Sequence, residues 1–442
     1  MFRKTVPAVC LAALSVVCAA QTPPPFVALG DSLGEGVQSA DANQRTQPRG
    51  YLNLIAKQMG VPFALPLIKT SHVGAVGSPN GRSRIDLSVM TPNLAVSGAT
   101  SGSILYDSAS EPIVNETDMV LSPRTGTQIQ IAQSLQAPFM ICWIGNNDAL
   151  GAVLDVGHLN GRQTTPLSVF ESNIHRVVQS LTGWGAKVVF ANVPDVTKIG
   201  FLMNSQDLTT FLGNNYGFPE GSLTSVITML SVKLGMSKPG ALQRPGYVLD
   251  PNEIQRLQHV VNEYNKLIAI EASAAGFPVM DAHALFDHFV THPKVYKKIT
   301  LTNRFNGGLF SLDGAHPSDI GYAFVANAFI DTANSFYHMN IPRLSHHQLR
   351  NILRTDPFVD FNGNLIVRGR PHAGLLETLG PKLGISGDKA DGPIQPGIDK
   401  NRGEEFMRAY FTAIGKDPNT PWNEQDGLNA LAQVFGVAQY AR

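Results

Sequence analysis

The chain alternates short apolar runs with longer amphipathic stretches. Nearly continuous hydrophobic runs, which predict buried strands, occupy residues 26–29, 94–96, 139–144, 187–192 and 278–280. Stretches with apolar residues at helical spacing, which predict helices, occupy residues 51–59, 127–135, 169–181, 251–275 and about 317–337. Strands without a polar face are typical of a parallel sheet that helices cover on both sides. The pattern therefore predicts an α/β fold with a parallel sheet between two helical layers.

Two regions do not follow this alternation. Residues of about 198–250 form an insertion rich in Phe, Leu and Met, and residues 345–442 form a polar, glycine-containing extension. Within the extension, residues 404–414 and 427–437 have helical patterns, but nothing in the sequence indicates what the extension does. We expect one α/β domain over residues 21–344, interrupted by the insertion and followed by the extension.

The N-terminus has the layout of a secretory signal peptide. Two basic residues at positions 3 and 4 precede an apolar run over residues 6–17, and small residues lead up to Gln21. The run is too short to span a bilayer, so we predict cleavage after Ala20 and a secreted or periplasmic protein. Lipoprotein processing at Cys18 is the alternative, although Val17 is bulkier than that processing prefers.

The composition excludes some classes of function. The 442 residues carry no net charge, with 34 Lys and Arg against 34 Asp and Glu. Binding to nucleic acid needs a basic surface, so nucleic acid is not the expected partner. After the signal, the sole cysteine is Cys142 in an apolar run, which predicts a buried thiol and no disulfide within the mature chain. No later segment is apolar enough to predict a membrane span.

The first candidate for chemistry is a serine directly after the first predicted strand. The run Gly-Asp-Ser-Leu-Gly at residues 30–34 places Ser32 between glycines. A tight strand-to-helix turn exposes the hydroxyl of its serine above the sheet, and glycine permits such a turn. Ordinary glycine turns have the same pattern, so this run alone does not identify a nucleophile.

Two later blocks offer donors for a developing oxyanion. Gly98 follows the second predicted strand and presents a bare backbone N–H, while the run Gly-Asn-Asn-Asp at 145–148 ends the third and carries side-chain amides. Taken alone, each block also fits a turn or a helix cap.

An aspartate and a histidine three residues apart precede the closing helix. In the run Leu-Asp-Gly-Ala-His-Pro, the Asp313 carboxylate is able to bind one imidazole nitrogen of His316, which leaves the other nitrogen to accept a serine proton. The same spacing recurs at Asp155 and His158, but we favour the later pair because a strongly patterned helix follows it. The remaining clustered histidines lack recurrent metal-ligand spacing and are expected to be solvated: His283, His288, His292, His346 and His347.

The four blocks, in this order, resemble the SGNH hydrolases, also called the GDSL lipase/esterase family. The family's first block matches residues 30–33, its G-x-N-D block matches 145–148, and its closing D-x-x-H matches Asp313 and His316. Its second block matches Gly98 with a mild departure, because Val-Ser precedes that glycine where many members have proline or asparagine nearby. The resemblance runs from about residue 26 to 337 and does not explain the insertion or the extension.

The resemblance implies a flavodoxin-like three-layer α/β/α sandwich without metal or organic cofactor. It implies a small-molecule or lipid ester as substrate and an acyl-enzyme route, with Ser32 as nucleophile, His316 as base and Asp313 as its partner. The implied oxyanion hole comprises the N–H groups of Ser32 and Gly98 and the side chain of Asn147. The G-x-S-x-G elbow of α/β-hydrolases also matches residues 30–34, but here one strand, rather than several, precedes the serine.

Three functions are compatible with these residues. We favour a secreted lipase or carboxylesterase, with an esterase that deacetylates polysaccharide as the alternative within the fold. A non-catalytic binding protein whose extension engages a partner is the third. The aromatic insertion has two interpretations, a lid or acyl-binding wall and a local hydrophobic core.

Overall fold

The protein alternates strands and helices along most of its length. The computed structural model describes residues 23–76, 81–296, 298–387 and 395–440, and the predicted signal peptide over residues 1–20 lies outside them. The strands are β1 Val27–Gly30, β2 Phe139–Trp143, β3 Lys187–Ala191, β4 Leu202–Met203, β5 Leu223–Ser225, β6 Val248–Leu249, β7 Val279–Met280, β8 Lys294–Tyr296 and β9 Ile299–Leu301. The helices are α1 Ser32–Glu35, α2 Tyr51–Met59, α3 Ser103–Tyr106, α4 Glu116–Leu121, α5 Gln128–Leu135, α6 Asn146–Leu154, α7 Leu167–Ser180, α8 Ser205–Leu212, α9 Val226–Lys233, α10 Pro251–Ala274, α11 Ala282–Thr291, α12 Asp319–Tyr337, α13 His346–Thr355, α14 Leu375–Leu383, α15 Lys400–Ala413 and α16 Glu424–Val434.

A parallel sheet forms the centre of the molecule, in the order β1-β2-β3-β7. Residues 92–96 run parallel to the free side of β1, where the N–H of Leu94 donates to Ala28 O over 2.8 Å. Counting that segment, the order along the sheet is the flavodoxin-like one, 2-1-3-4-5. Helices α2 and α12 pack together on one side, and α7 packs with α10 on the other. The protein is therefore an α/β/α sandwich, as the alternating pattern predicts.

The predicted strand at residues 94–96 is wrong in detail, because the segment forms one bridge, between Ala28 and Asn93, rather than a continuous ladder. The reason is local competition. The N–H of Gly30, which would continue the ladder by donating to Leu94 O, donates instead to the side-chain oxygen of Gln128 over 3.0 Å. Side-chain acceptors of this kind satisfy the backbone without a neighbouring strand.

The closing helix starts two residues later than its predicted start. Ser318, and not Pro317, is the residue before the helix, and its side chain accepts from the N–H of Gly321. A serine in extended conformation that binds the third helical N–H is a typical N-cap. Pro317 instead pairs with Phe310 in a single antiparallel bridge, and the apolar residues 309–312 before Asp313 form a bent loop.

The insertion and the extension both pack against the core of the α/β domain. The insertion contains the antiparallel sheet β4-β5-β6 and helix α9, all eight residues of which are buried. Helix α16 of the extension packs against α9, and α14 packs against α15. Phe406, Leu431 and Val434 of the extension are buried in the same hydrophobic cluster as the central strands. The extension is thus folded onto the domain.

Candidate active site

The turn after β1 places Ser32 at the start of a short helix. Asp31 precedes this helix as its N-cap, and its side chain accepts from the N–H of Leu33 over 3.0 Å. A Cβ atom at Gly30 would lie 2.5 Å from the carbonyl oxygen of Trp143 on the neighbouring strand, so the sequence requires glycine there. The turn leaves Ser32 8% exposed at the carboxyl edge of the sheet.

A continuous chain of hydrogen bonds joins Ser32 to His316 and Asp313. The Ser32 Oγ lies 2.8 Å from His316 Nε2, and His316 Nδ1 lies 2.9 Å from Asp313 Oδ2. Ser32 and His316 are 284 positions apart in the sequence. With the Nδ1 proton donated to the carboxylate, Nε2 is free to accept the serine proton.

The Asp313 carboxylate is held by backbone donors as well as by the imidazole. It accepts from the N–H groups of Ala315 and His316, both at 2.9 Å, and from that of Ala40 at 2.7 Å. Burial by itself would raise the pKa of Asp313, but the imidazole and these donors outweigh it and lower the pKa below its ordinary value. Asp313 is therefore a carboxylate at neutral pH, the form that orients an imidazole.

Asn147 and Gly98 line the same cavity as Ser32. Asn147 Nδ2 donates to the carbonyl oxygen of Ala99 over 2.9 Å, which ties the third block to the second. Asp148 strengthens this link, because its carboxylate accepts from both the N–H and the hydroxyl of Ser101, at 2.7 and 2.6 Å. The two donor blocks therefore have a defined position relative to each other.

A buried carboxyl lies beneath the serine turn. Asp31 accepts from Asn146 Nδ2 over 2.8 Å in addition to its own helix N–H. Burial raises the pKa of Asp31 to about 6, in spite of these two hydrogen bonds. The bond to Asn146 connects the first block to the third.

All five sequence-predicted site residues line one cavity: Ser32, Gly98, Asn147, Asp313 and His316. The rest of its wall is largely apolar and includes Leu150, Leu154, Val196, Phe201, Phe286 and Phe310. The competing pair is elsewhere. His158 lies 3.2 Å from Asp155, but its side chain is 57% exposed and is not among the residues that line the cavity.

The cavity also contains residues of the extension that the sequence did not predict. Phe435, Gly436, Val437 and Tyr440 line the cavity, and the Tyr440 hydroxyl donates to Asn147 Oδ1 over 2.8 Å. The only signal in the sequence was the helical pattern of residues 427–437, which says nothing about what that helix contacts. Phe201 of the insertion also reaches the cavity.

Neither a metal cluster nor a bilayer-spanning helix is found in the described part of the chain. No group of three or more His, Cys, Asp or Glu side chains there has a geometry that could hold a metal ion. His288 and His292 stack on each other at 4.8 Å, and His283 contacts Asn265. Likewise, no described helix is long and apolar enough to cross a membrane.

Comparison with known proteins identifies the family. No curated protein sequence matches the chain. Among solved structures, the chain is similar to LAE5, an alpha/beta hydrolase from the metagenome of Lake Arreo in Spain, with 13% identity, a TM-score of 0.34, and coverage of 71% of this chain and 96% of that one. It is also similar to Axe2, an acetylxylan esterase from Geobacillus stearothermophilus, with 11% identity, a TM-score of 0.35, and coverage of 73% and 97%. Similarity at this level does not indicate a substrate.

The family model provides the assignment. The model of the GDSL-like lipase/acylhydrolase family matches residues 26–329, well over half of the chain. This range runs from the strand before Ser32 into helix α12 and includes all four sequence blocks. The protein therefore belongs to the GDSL-like lipase/acylhydrolase family, the SGNH hydrolases, and is a carboxylic ester hydrolase.

Proposed function

We propose that this hydrolase cleaves esters with Ser32 as nucleophile, His316 as general base and Asp313 as the residue that orients the imidazole. The observation that carries the proposal is the unbroken Ser32–His316–Asp313 chain of hydrogen bonds at 2.8 and 2.9 Å. A nucleophile within hydrogen-bond reach of a base that a third group orients is the arrangement that activates a serine hydroxyl. The low pKa of Asp313 supports its role as a stable anion beside the imidazole.

The reaction proceeds through an acyl-enzyme. His316 Nε2 takes the proton of Ser32 as Oγ attacks the ester carbonyl carbon, and the carbonyl oxygen becomes an oxyanion. When this intermediate collapses, the bond to the alcohol oxygen breaks and His316 gives its proton to the leaving alcohol. Water then repeats the sequence on the acyl-serine, which releases the carboxylic acid and restores the hydroxyl of Ser32.

The oxyanion is stabilised by the N–H groups of Ser32 and Gly98 and by the side-chain amide of Asn147. Asn147→Ala should lower kcat about 100- to 1000-fold, because one preorganised donor typically contributes about 3–4 kcal/mol to transition-state stabilisation. Asn53→Ala is the matched control, since it removes a side-chain bond to a carbonyl oxygen, that of Pro48, outside the cavity. Equal kcat values for Asn147→Ala and the wild type would remove Asn147 from the site.

The substrate has an acyl chain of several carbons. The wall beside Ser32 is lined by large apolar side chains, such as Leu150, Leu154 and Phe286, and a sugar ring would find few polar partners among them. Phe201 brings the insertion into this wall, which supports a role in binding the acyl chain, and the burial of α9 supports a second role as a local hydrophobic core. An apolar wall favours longer acyl groups, because each buried methylene contributes about 0.8 kcal/mol.

An acyl-chain series tests this substrate class. From acetyl to octanoyl p-nitrophenyl esters, kcat/KM should rise by about fourfold per methylene until the cavity is filled. Leu150→Ala should flatten this rise, whereas Ile270→Ala, which truncates a 62% exposed apolar side chain elsewhere, should leave it unchanged. A maximum at acetyl, with efficient release of acetate from acetylated xylan, would instead establish the polysaccharide deacetylase.

The mature enzyme is exported after cleavage at Ala20. The support is the N-terminal sequence, with its two basic residues, apolar run and small residues before Gln21. In this proposal, the hydrolase domain begins at residue 21 and ends near 344, followed by the extension over residues 345–442.

A further inference from the structure

The C-terminal extension returns to the active site through a tight turn after helix α16. The helix ends at Val434, and Gly436 follows with a φ of 68°. A Cβ atom at Gly436 would lie 2.9 Å from the Cβ of Ala40, so glycine permits a close approach here. The N–H of Ala40 is one of the donors to Asp313, which places this turn directly behind the proposed triad.

Apolar contacts hold the turn in place. Phe435 packs edge-on against Phe201 of the insertion, with ring centroids 6.5 Å apart, and Phe435 is 2% exposed. The N–H of Tyr440 donates to the carbonyl oxygen of Val437 over 3.0 Å, which continues the chain as a short helical turn along the cavity. Tyr440 is therefore positioned by the fold of the whole extension.

The Tyr440 hydroxyl binds Asn147, the proposed oxyanion-hole residue, at the carboxamide oxygen and not at the nitrogen. It donates to Asn147 Oδ1 over 2.8 Å, and Asn147 Nδ2 donates to Ala99 O over 2.9 Å. A carboxamide has one acceptor oxygen and two N–H donors. Rotating the group by 180° would place its oxygen against the Ala99 carbonyl oxygen, two acceptors without a proton between them.

The two bonds thus hold one orientation of the carboxamide. One N–H of Asn147 is used by Ala99, and among the described residues no acceptor takes the second, which is left for the cavity. Donation to Oδ1 also polarises the amide and makes its N–H groups stronger donors.

We propose that Tyr440 is a positioning residue for the oxyanion hole, acting through Asn147, and that the C-terminal extension is required to complete the active site. The proposal rests on the proposed function of Asn147. In this proposal, the extension holds an amide donor in the position where negative charge develops in the transition state.

Tyr440→Phe tests the proposal, because it keeps the ring and removes the hydroxyl. The expected result is a fall in kcat of about tenfold with little change in KM, since the lost hydrogen bond acts on transition-state charge rather than on substrate binding. Tyr410→Phe is the matched control. It removes a hydroxyl that donates to Gln433 over 2.6 Å within the same extension but outside the cavity, and should leave kcat at the wild-type value.

A double-mutant cycle with Asn147→Ala identifies the route of the effect. If Tyr440 acts through Asn147, the double variant has the same kcat as Asn147→Ala alone. The proposal is overturned if Tyr440→Phe lowers kcat tenfold in the Asn147→Ala background as well. It is also overturned if Tyr440→Phe and Tyr410→Phe lower kcat equally, or if Tyr440→Phe has the wild-type kcat. If Ser32→Ala keeps its activity, the proposed function itself fails; if Ser32→Ala is inactive while Tyr440→Phe is unaffected, the positioning role alone fails.

Discussion

Replacing Ser32 with alanine is expected to lower kcat by on the order of a million-fold, because the variant lacks the proposed nucleophile and with it the proposed acyl-enzyme route. Ser32 is 8% exposed and lies within a well-packed turn, so the loss of its hydroxyl should leave the fold intact. The measurement is the steady-state hydrolysis of a p-nitrophenyl ester, together with labelling by a fluorophosphonate probe. The wild-type protein should be labelled on Ser32, and Ser32→Ala should not be labelled.

Ser134→Ala is the matched control for this variant. Ser134 is exposed on helix α5 and donates to the carbonyl oxygen of Ile131, so its removal is a similar chemical change without contact with the cavity. It should keep wild-type activity and labelling. Persistent labelling of Ser32→Ala would show that another residue is the nucleophile.

Replacing His316 with alanine should have an effect of similar size, on the order of a million-fold in kcat, because no other side chain in the described part of the structure is hydrogen-bonded to the Ser32 hydroxyl. The 2.8 Å contact between His316 Nε2 and Ser32 Oγ supports this assignment of the base. Fluorophosphonate labelling should slow as well, since it depends on the same activated hydroxyl.

The chain contains its own control for His316. His158 has the same spacing from an aspartate and lies 3.2 Å from the Asp155 carboxylate, but it is 57% exposed and outside the cavity. His158→Ala should therefore hydrolyse esters at the wild-type rate. Loss of activity in His158→Ala, or its retention in His316→Ala, would contradict the assignment of the base.

Most of the fold could be predicted because its elements have strong local patterns. Helix α2 spans the predicted residues 51–59, and β2 and β3 lie within predicted apolar runs. The differences arose where polar side chains compete with the backbone. The Gln128 side chain binds the N–H of Gly30 that a longer ladder would use, and Ser318 defines the start of α12 with its hydroxyl. Hydrophobic periodicity does not report such bonds.

The residues of the candidate site could be predicted for a topological reason. Ser32, Gly98 and Asn147 each follow an apolar run that lies in or beside the parallel sheet, and the carboxyl ends of parallel strands meet at one edge. That rule brings three blocks together before any coordinates are known. The family model matches residues 26–329, a range that contains all of these blocks.

By itself, the sequence determined the α/β architecture and the family, and it supplied the candidates for nucleophile, base and oxyanion donor. Only the tertiary structure decided that His316 contacts Ser32 while His158 faces solvent, and that Tyr440 binds Asn147 from 293 positions away. The physical reason is the range of the forces involved. Periodicity and capping depend on neighbours within a few residues, whereas contacts between distant segments depend on how the insertion, the extension and the sheet pack together.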